Sequence, residues 1–303
     1  MAKITASMVA ELRGKTGAGM MDCKKALTET DGNLDDAVDF LRKKGLSAAA
    51  KKSSRIAAEG SITAGGSDSV GVIVEVNAET DFVAKNAEFC GFAAGVAQVV
   101  TEANPADMDA LQQAAFPETG RTVAEELTHQ IATIGENINI RRFARHSVEN
   151  GVVESYVHGG GKIGVVVELS TAKPCEEVST VARQIAMHVA AAAPQYLCRD
   201  EVPAEVVDKE KDIMRTKAIE SGKPENIVDK IIVGQINKYF GEICLIEQAF
   251  VIDPDLKINK VLEKLGKEIG AEVTLTGYSR YMLGEGIEKR EDDFAAEVAS
   301  LTK

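Results

Sequence analysis

The chain has 303 residues, of which 45% are hydrophobic, so two or three domains with cores of their own can form. Its formal net charge of -12 at pH 7 argues against a general nucleic-acid binder, because contacts with phosphates need dense Lys and Arg. No apolar run reaches the roughly 18–20 residues that a membrane helix needs, and the N-terminus lacks the apolar core of a secretion signal. We therefore expect a soluble, cytoplasmic chain with no membrane and no direct nucleic-acid partner.

The first 55 residues predict three short helices. A Thr-Gly-Ala-Gly break at residues 16–19 ends the first helix, because two glycines favour a turn. A second helix is predicted at about 21–27 and a third from Leu34 onward, where an apolar stripe begins. Three helices joined by such loops resemble the ubiquitin-associated fold, a compact protein-binding module. Residues 48–58 are interpreted as a basic linker or a fraying helix.

The charge is distributed unevenly between this N-terminal part and the rest of the chain. Residues 1–55 hold 11 Lys and Arg against 7 Asp and Glu, whereas the remainder holds 24 against 40. A small basic module is thus joined to an acidic body. This pattern is typical of electrostatic steering toward a partner of mixed charge, or of weak contact with RNA.

Beyond residue 58 the sequence repeats a pattern of strand, glycine turn and strand. Each copy contains a Gly-Val-aliphatic-Val-Glu-aliphatic strand and is followed by an Ala-rich helix. The first copy has strands at 58–63 and 70–76 with a turn at 65–66, and its helix is at 88–100. The second has strands at 150–157 and 163–169 with a turn at 159–161, and its helix is at 176–193. We therefore predict an α+β core of two repeated antiparallel-sheet-plus-helix halves.

A pair of helices interrupts the second half. Helices are predicted at 203–220 and 224–240, and the short Gly- and Pro-bearing connection between them indicates an antiparallel helical hairpin that projects as a coiled coil. The chain then returns to sheet at 243–246 and 250–252, with a helix at 258–265 and a strand at 272–283. The predicted domains are 1–55, 56–145, 146–200 with 241–285, the hairpin at 201–240, and a C-terminal helix at 286–303.

The residues that usually carry chemistry show no catalytic pattern. The run at 159–164 matches Gly-x-Gly-x-x-Gly, but strands are predicted on both sides, whereas a dinucleotide site needs a helix after the turn. The four histidines lack metal-ligand spacing, and the five cysteines, odd in number and far apart, indicate free thiols. His188 is interpreted as a satisfied core or second-layer residue. His158, at a hairpin tip, is interpreted as a partner contact, a solvent-exposed residue or a support of the turn. We expect no enzyme and no cofactor.

Two stretches have open interpretations. Thr80-Asp81-Phe82-Val83 lies between a strand and a helix, so Phe82 is either a core staple over the helix start or an exposed anchor for a protein partner. The Met20-Met21 pair is either core or an adaptable contact surface.

Four ordered signatures together resemble the bacterial elongation factor Ts family over nearly the whole chain. They are TGAGMMDCKKAL at 16–27, TDFVAK at 80–85, IGENINIRR at 134–142 and IAMHVA at 185–190. The resemblance implies guanine-nucleotide exchange on elongation factor Tu, in its GDP-bound and nucleotide-free forms, and is compatible with a homodimer or a 2:2 complex.

The resemblance also assigns roles to residues. It implies that Asp81 and Phe82, within Thr80-Asp81-Phe82-Val83, enter the GTPase beside its Mg²⁺ site. It further implies partner contacts at Met20, Met21, Ile134, Gly135, Glu136, Asn137 and His158. The turn after His158 is one residue longer than the family's shorter form. The alternatives to this function are a passive scaffold and a small-molecule enzyme built on the glycine-rich turn.

Overall fold

A computed structural model describes residues 4–222 and 224–288, which form two compact units. The first unit comprises 4–63, 74–143 and 282–288, and the second comprises 64–73 and 144–281. Within the described residues the chain has ten α-helices and two three-stranded antiparallel sheets, so the predicted α+β class is confirmed.

The first sheet has the order β1-β2-β3, and six helices precede or connect its strands. The strands are β1 Glu59–Ser67, β2 Val70–Ala78 and β3 Ile138–Ser147. The helices are α1 Ala6–Thr16, α2 Met20–Glu29, α3 Leu34–Lys52, α4 Ala87–Ala103, α5 Met108–Gln113 and α6 Val123–Ile134. Strand β2 is buried at nearly every position, which explains its continuous aliphatic sequence.

The three N-terminal helices enclose a small core of their own. Leu12, Cys23 and Leu27 are fully buried in it. Thr5 caps α1 by accepting a hydrogen bond from a backbone N–H, and Gly17 ends that helix at φ +63°, where a residue without Cβ is unstrained. Helix α3 runs on to Lys52, so the first part of the stretch interpreted as a basic linker or a fraying helix is helical.

The second unit is built on a sheet of order β4-β5-β6. Its strands are β4 Gly151–His158, β5 Ile163–Thr171 and β6 Val273–Met282. Its helices are α7 Glu176–Ala192, α8 Ala204–Glu220, α9 Glu225–Ile243 and α10 Ile258–Ile269. Helix α7 packs on β4 and β5, and the core between them includes Val167, Leu169 and Ile185.

The glycine-rich run at 159–161 is the turn of an antiparallel hairpin. Strands β4 and β5 pair from Gly151 opposite Ser170 to His158 opposite Ile163. All three turn glycines have positive φ, between 61° and 95°, which side chains with Cβ rarely adopt. The interpretation as a hairpin turn is confirmed, and the dinucleotide interpretation is wrong because a strand rather than a helix follows the glycines.

Three predicted elements of the sheets are wrong. The first hairpin turn is predicted at 65–66, but β1 continues to Ser67. Gly66 instead allows close backbone approach, since a Cβ there would lie 2.0 Å from the Val70 carbonyl oxygen. The expected strands at 243–246 and 250–252 are absent from this described part of the chain. There Ile243 ends α9, a 3₁₀ turn follows, and Cys244 makes only an isolated bridge with Tyr196.

The sequence patterns described above did not predict α5, α6 or β3. Helix α6 carried a readable signal, because Thr122 and Glu125 form a capping box at its start. The predicted C-terminal helix at 286–303 lies, after 288, outside the described residues. Among the helices within 4–222 and 224–288, none combines the length and apolar character needed to cross a bilayer.

Candidate functional site

The segment between β2 and α4 presents an exposed aromatic tip. Phe82 is 80% exposed, although Ala78 at the end of β2 is fully buried. A 3₁₀ turn, Val83–Lys85, follows it, and Asn86 caps α4 by accepting a hydrogen bond from the backbone N–H of Glu88 at 2.7 Å. The staple interpretation of Phe82 is therefore wrong, because Asn86 starts the helix and the ring contacts solvent.

Thr80 fixes the base of this tip through both its backbone and its side chain. Its N–H donates to Oε2 of Glu136 at 3.0 Å, and its hydroxyl donates to Oε1 of the same carboxylate at 2.7 Å. The same hydroxyl oxygen accepts the N–H of Val83 at 3.4 Å, within the turn that follows Phe82. Asp81 is exposed and pairs with Lys85 at 2.8 Å.

The segment 134–137 lies against the same base. Gly135 ends α6 at φ +90°, which reverses the chain so that Glu136 and Asn137 meet the end of β2. The N–H of Asn137 donates to Oε1 of Glu79 at 2.6 Å, and its side-chain amide donates to the Arg55 carbonyl at 2.7 Å. The structure thus brings together two stretches that are more than fifty residues apart in sequence.

The methionine pair begins α2 in the first unit. Met20 is 60% exposed and Met21 74% exposed, while Cys23 on the same helix is fully buried. Their core interpretation is therefore wrong. The methionines form an exposed apolar edge of a helix whose other face builds the N-terminal core.

The two histidines singled out from the sequence both lie in the second unit. His158 is exposed at the end of β4, and its Nδ1 lies 2.9 Å from the Tyr156 hydroxyl. His188 is buried: its Nδ1 accepts the Val251 N–H, so its Nε2 carries the proton and donates to Gln248 at 2.9 Å. Burial lowers the pKa of His188, against a smaller opposing effect of the Gln248 hydrogen bond. The core interpretation of His188 is confirmed.

A buried carboxylate on β2 organises the charges next to the site. Glu75 is fully buried and accepts hydrogen bonds from Arg142 at 2.6 Å, Arg141 at 3.0 Å and the N–H of Gly284 at 2.8 Å. Burial raises the pKa of Glu75, but these three donors outweigh it, so the pKa lies below its ordinary value. The sequence showed Glu75 only as part of the repeated strand, and no pattern in it indicated this network.

The described residues contain a cavity but no candidate metal cluster. No group of three or more His, Cys, Asp or Glu among them could hold a metal ion. A cavity of about 440 Å³ lies between α3, α6 and the loop before α2. Four of its charged lining residues are paired with each other, Arg42 with Glu125 and Lys44 with Asp22.

All five cysteines are free, and burial raises the pKa of the Cys244 thiol to about 11.

Comparison with known proteins is consistent along the chain. A family model described as Elongation factor TS matches residues 79–285. A protein named Elongation factor Ts from Syntrophotalea carbinolica is 70% identical over 302 residues, which cover 99% of this chain and 100% of that protein. Proteins of the same name from Magnetococcus marinus and Clostridium perfringens are 54% and 51% identical over 300 residues each, with 98–99% of this chain and 99% of each relative covered. Because the model matches more than half of the chain and the relatives match almost all of it, the chain belongs to the elongation factor Ts family.

Proposed function

We propose that this chain promotes the release of GDP from elongation factor Tu in translation elongation, by inserting Asp81 and Phe82 beside the Mg²⁺ site of that GTPase. The exchange role follows from the family to which the chain belongs. The observation that carries the insertion is the exposure of Phe82, whose ring is 80% accessible on a hydrogen-bonded base. An exposed aromatic side chain on an ordered loop is the usual form of an interface anchor.

In this proposal the chain carries out no chemical step, so it acts as an exchange factor rather than as an enzyme. Burying the Phe82 ring in a pocket supplies about 1.5–3 kcal/mol. Asp81 is proposed to compete for the polar groups around the metal. Only the part of this free energy that is specific to the nucleotide-free conformation drives exchange, because equal binding to both states shifts no population.

The other proposed contacts surround this anchor. Met20 and Met21 would grip a further helix of the GTPase, since exposed methionines adapt to an apolar partner surface. Ile134, Gly135, Glu136 and Asn137 would lie against the partner beside the tip. His158, exposed in the second unit, would contact a neighbouring partner domain.

The finer organisation is proposed in the same terms. Residues 1–55 form a ubiquitin-associated-like module, 56–145 and 146–200 with 241–285 form two related halves, and 201–240 form a helical hairpin. The contact of α8 with α9 through Ala218, Val228 and Ile232 supports the hairpin. The protein acts in the cytoplasm, as a monomer, a homodimer or a 2:2 complex with its partner.

The proposal is tested by the rate of nucleotide release. Elongation factor Tu loaded with a fluorescent GDP analogue is mixed with excess unlabelled GDP and a substoichiometric amount of the full chain. We expect release many times faster than the spontaneous rate, with each molecule of the chain acting repeatedly. If GDP is released at the spontaneous rate at every concentration of the chain, the proposed function is wrong.

A further inference from the structure

We infer that Glu79 and Glu136 form a reciprocal clamp that holds the Phe82 tip in its binding conformation before the partner arrives. Both are then positioning residues. Within the segment 134–137 that is proposed to lie beside the partner, this inference narrows the role of Glu136: its carboxylate acts through Thr80 rather than by direct contact. The inference rests on the proposed function and assigns these two side chains a role within it.

The clamp is visible as a crossed pair of side-chain-to-backbone hydrogen bonds. The carboxylate of Glu136 accepts the backbone N–H of Thr80 at 3.0 Å. The carboxylate of Glu79, one residue before Thr80, accepts the backbone N–H of Asn137, one residue after Glu136, at 2.6 Å. Each segment thus supplies the acceptor for the other's donor, so neither can move without breaking a bond in both directions.

The location of the two donors explains why carboxylates are used. Thr80 lies two residues after Ala78, the last residue of β2, and Asn137 follows the turn that ends α6, so both N–H groups lie just beyond regular structure. Glu79 and Glu136 are partly buried and Asn137 is buried. An N–H there needs a partner, and a charged acceptor makes a stronger hydrogen bond than a neutral one.

The Thr80 hydroxyl transmits the clamp to the tip. Because the Thr80 hydroxyl donates its hydrogen bond to Glu136 at 2.7 Å, a lone pair of the Thr80 oxygen is directed to the Val83 N–H at 3.4 Å. The Thr80 carbonyl also accepts the N–H of Ala84 at 3.4 Å. Phe82 lies inside this turn with φ -67° and ψ -44°, an unstrained conformation. The tip is therefore held by its base, and no side-chain packing of Phe82 is required.

The clamp has three consequences for how the tip meets a partner. Holding the loop before binding reduces the conformational entropy that association must otherwise remove, which favours tighter binding. Both oxygens of Glu136 are already engaged by Thr80, so this side chain supports the partner-facing surface from within. The clamp also joins 79–83 to 134–137, so the two segments are expected to move together.

A double-mutant cycle in full-length protein tests the clamp. We measure kcat and KM for release of the fluorescent GDP analogue with E136A, T80V and the double variant. We expect each single variant to lower kcat/KM by about tenfold, and the double variant to be hardly slower than E136A, since the two residues act as one unit. Effects that multiply independently would show that Glu136 contacts the partner itself, and would overturn the clamp.

The conservative variant E136Q separates positioning from charge. The glutamine carbonyl can still accept the Thr80 N–H, and its amide can donate to the Thr80 hydroxyl oxygen. We therefore expect E136Q to recover most of the rate lost in E136A. An E136Q variant that remains as slow as E136A, with an unchanged urea midpoint, would contradict the clamp.

Amide hydrogen exchange in the free chain decides the question without the partner. We expect the Thr80 amide to lose protection in E136A and the Asn137 amide to lose it in E79A, while amides of the β4–β5 ladder keep theirs. Equal Thr80 exchange rates in wild type and E136A would overturn the clamp. If the wild-type chain fails to accelerate GDP release, the proposed function is lost, but this experiment still supports or refutes the clamp.

Discussion

At the scale of single residues, Phe82 and Phe89 are seven positions apart and have opposite environments. Phe82 is 80% exposed and Phe89 is fully buried in α4. We expect Phe82→Ala to change the free energy of unfolding by less than about 0.5 kcal/mol, and Phe89→Ala to lower it by about 3–5 kcal/mol. Urea unfolding followed by circular dichroism measures both. A large loss of stability in Phe82→Ala would mean that the ring packs against the protein in solution.

The buried carboxylate of Glu75 predicts a specific dependence of stability on pH. Its pKa is lowered in the folded chain, so its stabilising contribution is present above the unfolded value of about 4.3 and is lost as the pH falls through the folded pKa. Glu75→Gln should lower the free energy of unfolding at pH 7 by about 3 kcal/mol, because Arg141 and Arg142 lose the negative charge and one of the two acceptor oxygens that they share.

This difference between wild type and Glu75→Gln should shrink as the pH falls below about 4.3, since protonation then removes the same charge from the wild-type protein. Urea midpoints across the acid range measure it. A difference that stays constant with pH would show that the charge of Glu75 is not what stabilises the network.

At this scale the sequence singled out Phe82 and Thr80 but did not determine the environment of either side chain. An aromatic residue in a polar loop before a helix fits a staple as well as an anchor, and only the position of Asn86 as the actual cap decides between them. The partners of Thr80 could not be predicted, because Glu136 is 56 residues away and neither segment carries a pattern that indicates contact.

At the scale of elements, Gly135 sets the direction in which the chain leaves α6 and so positions Glu136 in the clamp. Its φ is +90°, and a Cβ there would meet nothing within 4 Å, so substitution costs backbone strain alone. We expect Gly135→Ala to lower the free energy of unfolding by about 1–2 kcal/mol and to raise KM for exchange. Urea unfolding and the GDP-release assay measure the two effects.

Gly91 offers a matched control for this substitution. It lies inside α4 with ordinary helical φ, and a Cβ there would also meet nothing within 4 Å. Gly91→Ala should therefore stabilise the chain by about 0.5–1 kcal/mol, since alanine favours a helix more than glycine does. If both substitutions change the free energy of unfolding equally, the left-handed backbone at Gly135 is not the cause of the change.

Sequence periodicity predicted most long elements, but it missed α6 and β3 and gave the wrong structure for a short buried run. Helices α4 and α7 and the β4–β5 hairpin followed from long patterns with clear glycine turns. The run at 243–246 was read as a strand because it is aliphatic. Its Cys244 and Leu245 are indeed fully buried, but in a helix end and a 3₁₀ turn. A short buried run is apolar whether it forms a strand or a helix end, so its sequence does not distinguish the two.

At the scale of the whole molecule, exchange is a coupling between two ligands of the same GTPase. If the chain weakens GDP binding to elongation factor Tu by some factor, GDP must weaken binding of the chain by the same factor. Calorimetric titrations of elongation factor Tu with GDP and with the chain, each in the presence and absence of the other, measure both factors. Unequal factors would show that the titrations are not reporting one closed equilibrium. If both factors equal one, GDP and the chain bind independently of each other, and the chain is a passive scaffold.

The central claim is that the Phe82 ring carries exchange, and GDP release catalysed by Phe82→Ala tests it most directly. The matched control is Ile252→Ala, which removes an apolar side chain that is 50% exposed in the second unit. We predict that Phe82→Ala lowers kcat/KM by roughly 10–100-fold, the factor that corresponds to burial of one large apolar side chain, with an unchanged urea midpoint. Ile252→Ala should exchange at the wild-type rate. A Phe82→Ala variant as active as Ile252→Ala would contradict the account.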